Sequence, residues 1–264
     1  VSFALLTQTL KDKAMGTVLA AILLFIFMIY ICYMYSQVTH MTGMEEMLKN
    51  PAIQALIGKT ASIATFEGFL TLFSFSYMGL IIGGFIAFVA ASFLAGEIEQ
   101  KTIDLLLSLP LRRERLVLWR YAALVPIVVL LMLTLLVAIY LGATAAGLST
   151  NMVWVAYCLA YMGLFALAFG AIAMLISALL SDGRQAALLS MGVLFAMYFA
   201  ETVGSTVASM EVVTKLSLFH YVNSSDILVS HTLSAFNVIV LIAVLVMFLA
   251  LAVLAFRRKE INVT

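Results

Sequence analysis

YAALVPIVVLLMLTLLVAIYLGATAAGLSTNMVWVAYCLAYMGLFALAFGAIAMLISALLS, residues Tyr121–Ser181, runs for 61 residues without one Asp, Glu, Lys or Arg. A helix crosses the roughly 30 Å hydrocarbon core of a bilayer in about 20 residues, so this run is too long for one crossing and right for two. Gly142, Gly147, Ser149 and Asn151 supply turn chemistry near its middle. The stretch reads as a helical pair, spans 121–141 and 152–180, and places the chain in a membrane.

The rest of the sequence has the same character. It is 65% hydrophobic and 10% charged, with a mean hydropathy of +1.17, outside the range of soluble domains. Further charge-poor windows at 14–35, 69–95, 185–203 and 236–256 bring the spans to six. Basic residues set the orientation. With the N-terminus inside, Lys11, Lys13, Lys101, Arg112, Arg113, Arg115, Arg120, Arg184, Arg257, Arg258 and Lys259 are cytoplasmic, and only Lys49, Lys59 and Lys215 lie outside. The expected fold is a single all-α membrane domain over 1–264, with both termini on the cytoplasmic side of the cell membrane. Lys11, Asp12 and Lys13 precede the first apolar run, and no small-residue cleavage site follows it, so the start does not match a cleavable signal peptide. Two external segments, 37–68 and 204–235, are longer than turns. Ala52–Gly58, following Pro51, reads as a short surface helix. The second segment reads as one or two short helices that dip into the outer leaflet and return. Both segments are candidate gates or plain lids.

Several function classes lose support. A net charge of +1 and a pI near 7.9 give no case for nucleic-acid binding. No ionisable side chain sits near the middle of a span, since Glu67 and Glu201 fall at outer ends and Arg120 at an inner end. Ion-coupled carriers and intramembrane enzymes place such groups at membrane depth. His40, His220 and His231 are external without HExxH spacing, and Cys32 and Cys158 are lone thiols in apolar runs, so no metal site is expected. There is no G-x-x-x-x-G-K-[ST], so no ATP site or other cofactor is expected on this chain. Gly79 with Gly83, Ala87 with Ala91, Ala166 with Gly170 and Gly192 with Ala196 are small pairs suited to close helix contact. Ser74, Tyr77, Tyr161 and Tyr198 are candidates to line a path for an amphiphile. The plainer reading of intramembrane hydroxyls is a bond to a backbone carbonyl one turn earlier.

The charged connector between spans two and three, EIEQKTIDLLLSLPLRRERLVLWR (Glu97–Arg120), is hard to explain as a mere loop. Over 97–110 Ile98, Ile103, Leu105, Leu106 and Leu109 gather on one helical face, with Glu97, Glu99 and Lys101 largely off it. Acids near the start suit the positive end of the helix dipole, and Pro110 ends the helix. Arg112, Arg113, Arg115 and Arg120 fit the headgroup zone, and Arg257, Arg258 and Lys259 are the matching anchors after the last span. The segment is either an interfacial helix with snorkelling arginines or a rigid lever whose acidic and leucine face docks a soluble partner.

Glu97, Thr102, Leu106, Leu107, Pro110, Arg113 and Arg120 resemble the pattern E-x-x-x-G-T-x-x-x-L-L-x-x-P-x-x-R, followed by a basic residue seven positions on, of ABC-2 transporter permease subunits. Lys101 stands where that family usually has glycine, and Arg120 where lysine is common. The ending Phe256-Arg257-Arg258-Lys259-Glu260-Ile261 is similar to the family's tail, and Ser217–Tyr221 occupies the place of its SPF-Y segment, with Leu218 for proline. The resemblance implies that the connector is a coupling helix seated in a separate ATP-binding subunit. Its surface would be Glu97, Glu99, Thr102, Asp104, Leu106, Leu107, Pro110, Arg112 and Arg113. It further implies that Phe3–Lys13 is an interfacial elbow helix and that two six-helix halves, this chain with a copy or a sister permease, form the pathway. Two ATPase subunits would carry the ATP and Mg. The implied function is an exporter, and the uncharged spans lean toward hydrophobic or amphiphilic cargo. The alternative is an ATP-driven mechanical or assembly module that acts on a partner protein without moving a solute.

Overall fold

The computed structural model describes residues 2–39, 65–99, 113–204 and 211–259. The described residues form helices α1 (Ser2–Thr39), α2 (Phe66–Leu70), α3 (Ser76–Glu99), α4 (Arg113–Ala122), α5 (Leu124–Ala145), α6 (Met152–Leu179), α7 (Gly183–Gly204), α8 (Glu211–Leu216), α9 (Ser224–Leu228) and α10 (Ala235–Arg258). A π-helical turn at Thr71–Phe75 joins α2 to α3, and a 3-10 turn at Leu218–Tyr221 follows α8. No strand occurs among them. Six helical stretches, with α4 and α5 counted as one, are long and apolar enough to cross a membrane. The chain is an all-α, multi-pass membrane protein.

Each boundary has a local cause. Thr65 caps α2 by accepting the Gly68 amide at 3.2 Å, so that short helix starts at Phe66, ahead of the second membrane stretch at Tyr77–Glu99. Asn151 caps α6 through the Val153 amide at 3.1 Å, and Gly147 turns the preceding chain at φ +68°. Between α4 and α5 the chain breaks at Ala123. Pro126 has no N–H to return to the carbonyl of Ala122, which loosens the ladder at this point. The 38 residues of α1 form one helix, and at 1.5 Å per residue it measures about 57 Å, far beyond the hydrocarbon core. The expected elbow, Phe3–Lys13, is therefore not set apart from the first span. It holds no Pro or Gly to break it and forms the first turns of α1, continuous with the membrane segment.

The bundle is organised around α3 and α6, whose apolar windows are 72% and 78% buried, against 17% for α7 and 11% for α10. Helix α6 packs against α3, α5, α7 and α10; α7 lies on α3; α1 lies on α4 and α5. Phe93, Phe165, Phe169, Ile82 and Ile86 fill the centre. Three of the small-residue pairs lie in contacts. Gly79 faces the Phe219 ring, Gly83 faces Leu194, and Gly170 faces Leu124 and Ile86, while Ala87, Ala91 and Ala166 are fully buried. Nothing lies within 4 Å of a Cβ built on Gly192. Cys32 and Cys158 are free and buried, with Cys32 seated on Gly142 of α5. The starts of α1, α4 and α7 meet the ends of α3, α6 and α10 at one end of the bundle, here the terminal end. The opposite, far end carries α2, α8, α9 and the 3-10 turn. The expected surface helix at 52–58 falls outside the described residues. The return segment holds two short helices and a 3-10 turn, where one or two helices are expected.

Candidate functional site

At the terminal end, α3 delivers Glu97 and Glu99 into a set of polar ties just where the connector begins. Glu97 Oε1 accepts a hydrogen bond from Arg120 Nη2 of α4, and Arg120 Nη1 donates to Thr9 Oγ1 of α1. A planar guanidinium serves this geometry because its separate nitrogens reach two acceptors at once. The two charged side chains are 11% and 15% exposed. Asp12 and Lys13 of α1 lie within electrostatic range of Glu97. Arg120, expected as a basic anchor at the membrane interface, is thus buried against α1 and α3 at the terminal end. Glu97 compensates the buried charge and the Thr9 hydroxyl accepts from a second nitrogen, while Arg120 Nε has no hydrogen-bond partner among the described residues, so the pair offsets its burial only in part.

Two further contacts pin the same stretch of α3. Glu99 Oε2 accepts the Gly183 amide, which opens α7, at 2.9 Å. A Cβ at residue 183 would stand 2.9 Å from Gly96 Cα and 3.1 Å from Glu99 Oε2, so only glycine fits this close approach of two backbones. One turn earlier, Ser177 of α6 is fully buried and donates to the Ala91 carbonyl at 2.9 Å while accepting the Ala95 amide at 3.0 Å. Ala91 and Ala95 are the partners an undisturbed helix would pair, so Ser177 occupies a rung of the α3 ladder.

The tail closes the arrangement. Lys259 Nζ donates to the Leu180 carbonyl at the C-terminus of α6, at 2.7 Å, and burial lowers its pKa. A lysine there satisfies a carbonyl that the helix leaves open. Arg113 Nη1 donates to the Lys259 carbonyl at 2.9 Å. Arg257 pairs with Glu114 at 3.3 Å, but both are well exposed and such a pair adds little. Arg115 and Arg258 are exposed. All six membrane stretches thus meet at the root of the connector.

Of the residues expected on a docking surface, Glu97, Glu99 and Arg113 are engaged within the chain as described. Thr102, Asp104, Leu106, Leu107, Pro110 and Arg112 lie outside the described residues. The expected substrate-path residues are not brought together. Ser74 is buried with its Oγ 3.3 Å from the Met28 sulfur, and Tyr77 faces outward. Tyr161 donates to the Ser234 carbonyl at 2.9 Å, and Tyr198 packs edge-on to Phe219. The plainer reading holds for Thr134 and Ser190, which bond the Leu130 and Ala186 carbonyls one turn back at 2.8 Å each.

Sequence reasoning missed Thr9, Ser177 and the amide of Gly183. Ser177 is a lone hydroxyl at the end of a charge-free run, and Gly183 reads as an ordinary turn residue, so neither carries a local signal. The polar side chains at this end bond mostly to other segments of the same chain. Among the described residues no three His, Cys, Asp or Glu side chains gather as metal ligands.

The profile of the family described as "ABC-2 family transporter protein" matches residues 6–261. No curated protein matches the chain.

Proposed function

The chain belongs to the ABC-2 transporter family as a permease component, and on that premise we propose that it couples ATP hydrolysis by a separate subunit to export of hydrophobic or amphiphilic cargo. A permease of this family is the membrane component, distinct from the ATPase, and it associates with an ABC ATP-binding subunit. In the proposed arrangement two such subunits carry ATP and Mg, and this chain pairs with a copy or a sister permease through its thinly covered α7 and α10. Both termini and residues 97–120 face the cytoplasm, and 97–110, with Glu97, Glu99 and Arg113 at its root, docks the ATPase.

The observation that carries this reading is the tie between the connector's root and every span. A displacement entering at residue 100 passes through Glu97 to Arg120 and Thr9, hence to α4 and α1. Through Glu99, Gly96 and Ser177 it passes to α7 and α6. Packed interiors are dense and little compressible, so rigid helices joined by short bonds convey such a displacement. The absence of ionisable groups near mid-span supports energy supplied from outside the chain.

An Asp104→Cys variant tests the docking directly. The expected result is a disulfide or bifunctional crosslink from residue 104 to a co-purifying ATP-binding subunit, with a yield that changes on vanadate trapping. Absence of a crosslink from position 104 and from a second connector position, Leu107→Cys, removes the proposal.

A further inference from the structure

Helix α10 closes on Arg257 and Arg258, with Lys259 next, and the fold brings a further basic residue to the same place. Arg113 Nη1 donates to the Lys259 carbonyl at 2.9 Å, although 146 positions separate the two in the chain. Glu114, 3.3 Å from Arg257, is the acid described there, so the group keeps a surplus of positive charge. Arg257 and Arg258 are exposed, and among the described residues Arg258 forms no ion pair.

An apolar stripe runs up to this group. Met247, Leu251, Leu254 and Arg258 stand at i, i+4, i+7 and i+11, the spacing of a single helical face. The three apolar members are 42–50% exposed. At 1.5 Å per residue the stripe measures about 17 Å from Met247 to Arg258. That is close to half of a hydrocarbon core roughly 30 Å thick. A stripe one leaflet deep, with guanidinium groups at its head, matches a phospholipid in length and in chemistry.

We propose that the terminal half of α10 binds an anionic phospholipid, with an acyl chain along Met247, Leu251 and Leu254 and the phosphate on Arg257 and Arg258. Guanidinium groups take phosphate oxygens in pairs. The surplus positive charge favours a headgroup of net negative charge over a zwitterion. In simple anchoring, by contrast, each arginine meets whatever phosphate lies nearest, and a zwitterionic lipid serves as well. A soluble phosphate would use the charges and leave the stripe idle. A second copy fits poorly here, because a two-fold pair brings Arg257 and Arg258 of both chains to the same depth, and facing like charges oppose contact. The site leaves α7 and the far half of α10 for pairing, and it does not rest on the ATPase reading.

The test is native mass spectrometry of the purified full chain, with whatever subunits accompany it, titrated with phosphatidylglycerol, phosphatidylcholine or glycerol 3-phosphate. The expected result is one phosphatidylglycerol retained per chain at concentrations where the other two are not. Arg257→Gln with Arg258→Gln should raise the half-saturating concentration about thirtyfold, at about fivefold per basic residue near a membrane surface. Lys11→Gln with Arg184→Gln removes the same charge from exposed positions at the same end and should leave binding unchanged. All four side chains are exposed, so neither double variant should disturb the fold. Equal retention of phosphatidylcholine, binding of glycerol 3-phosphate at the same concentrations, or equal loss in the two double variants overturns the site. So does separation of paired chains in the Arg257→Gln, Arg258→Gln variant with bound lipid unchanged, which would seat a second copy on the stripe.

Discussion

At the terminal end, charged side chains and backbone groups tie the segments together. Arg120 bridges Glu97 and Thr9, Glu99 holds the Gly183 amide, and Lys259 caps α6. At the far end the return segment is seated mainly by apolar side chains: Phe219 packs on Gly79 and against Phe165 and Tyr198, and Leu218, Val222, Ile227 and Leu228 are buried. Hydrogen bonds run there from Ser217 Oγ to the Met197 carbonyl at 2.8 Å and from Tyr161 to the Ser234 carbonyl at 2.9 Å. The pair His220–Glu201, at 3.4 Å and partly exposed, adds a weak tie there. Directional bonds hold a geometry, whereas apolar contact is non-directional and tolerates sliding. The difference is one of degree: charged ties concentrate at the terminal end, and buried apolar side chains predominate at the far end; under the proposed coupling, displacement would enter at the first.

The largest expected effect falls at the terminal end. Arg120→Ala leaves the Glu97 carboxylate buried without its guanidinium, at a cost of about 3–5 kcal/mol. Unfolding temperature and folded yield in detergent would record it. Replacing both partners, Glu97→Leu with Arg120→Met, should recover most of that loss, because removing a whole buried pair is often neutral or stabilising. A double variant as unstable as the single one would show that the pair does more than balance charge.

At the far end, Phe219→Ala should cost less, up to about 3 kcal/mol, since the ring is only partly buried. Hydrogen exchange should rise over 211–228 and stay unchanged around Glu97. Equal loss of protection at both ends would erase the contrast. Gly183→Ala forces apart two backbones in near contact and should cost about 1–3 kcal/mol. Its exchange signature should appear at the starts of α7 and the connector. Glu99→Gln keeps the shape and replaces a charged acceptor with a neutral one, so a loss of about 1 kcal/mol or less is expected by thermal unfolding.

The sequence discloses the spans because hydropathy is a local property: 61 uncharged residues in a row leave few alternatives. It also marks where the polar end lies, since Glu97, Arg120 and Lys259 stand out against the lipid-like background. The partners are another matter. Arg120 finds Glu97 at 23 positions away and Thr9 at 111, and Ser177 meets Ala91 at 86, separations that no periodicity or spacing rule reaches. Arg120 reads as a headgroup anchor because its exposure depends on those distant groups. The continuity of α1 is missed for a different reason. Lys11, Asp12 and Lys13 signal an interface, yet polar residues at a membrane edge do not by themselves interrupt a helix, and a single glycine just beyond them, Gly16, is tolerated within α1. Nearly all of the 97–110 connector lies beyond the described residues, so its docking face rests on the family resemblance and on its anchored root.

The most direct test uses spin labels at Thr144→Cys on α5 and Val203→Cys on α7, both exposed toward the far end. Distances are measured in the complex with its ATP-binding subunits, before and after vanadate trapping. The expected result is a nucleotide-dependent change in the label distance that the Glu97→Leu, Arg120→Met double variant abolishes while still folding and still binding the ATPase. A far-end distance that responds equally in the double variant, or a tagged chain that co-purifies no ATP-binding subunit, contradicts transmission through the connector's root.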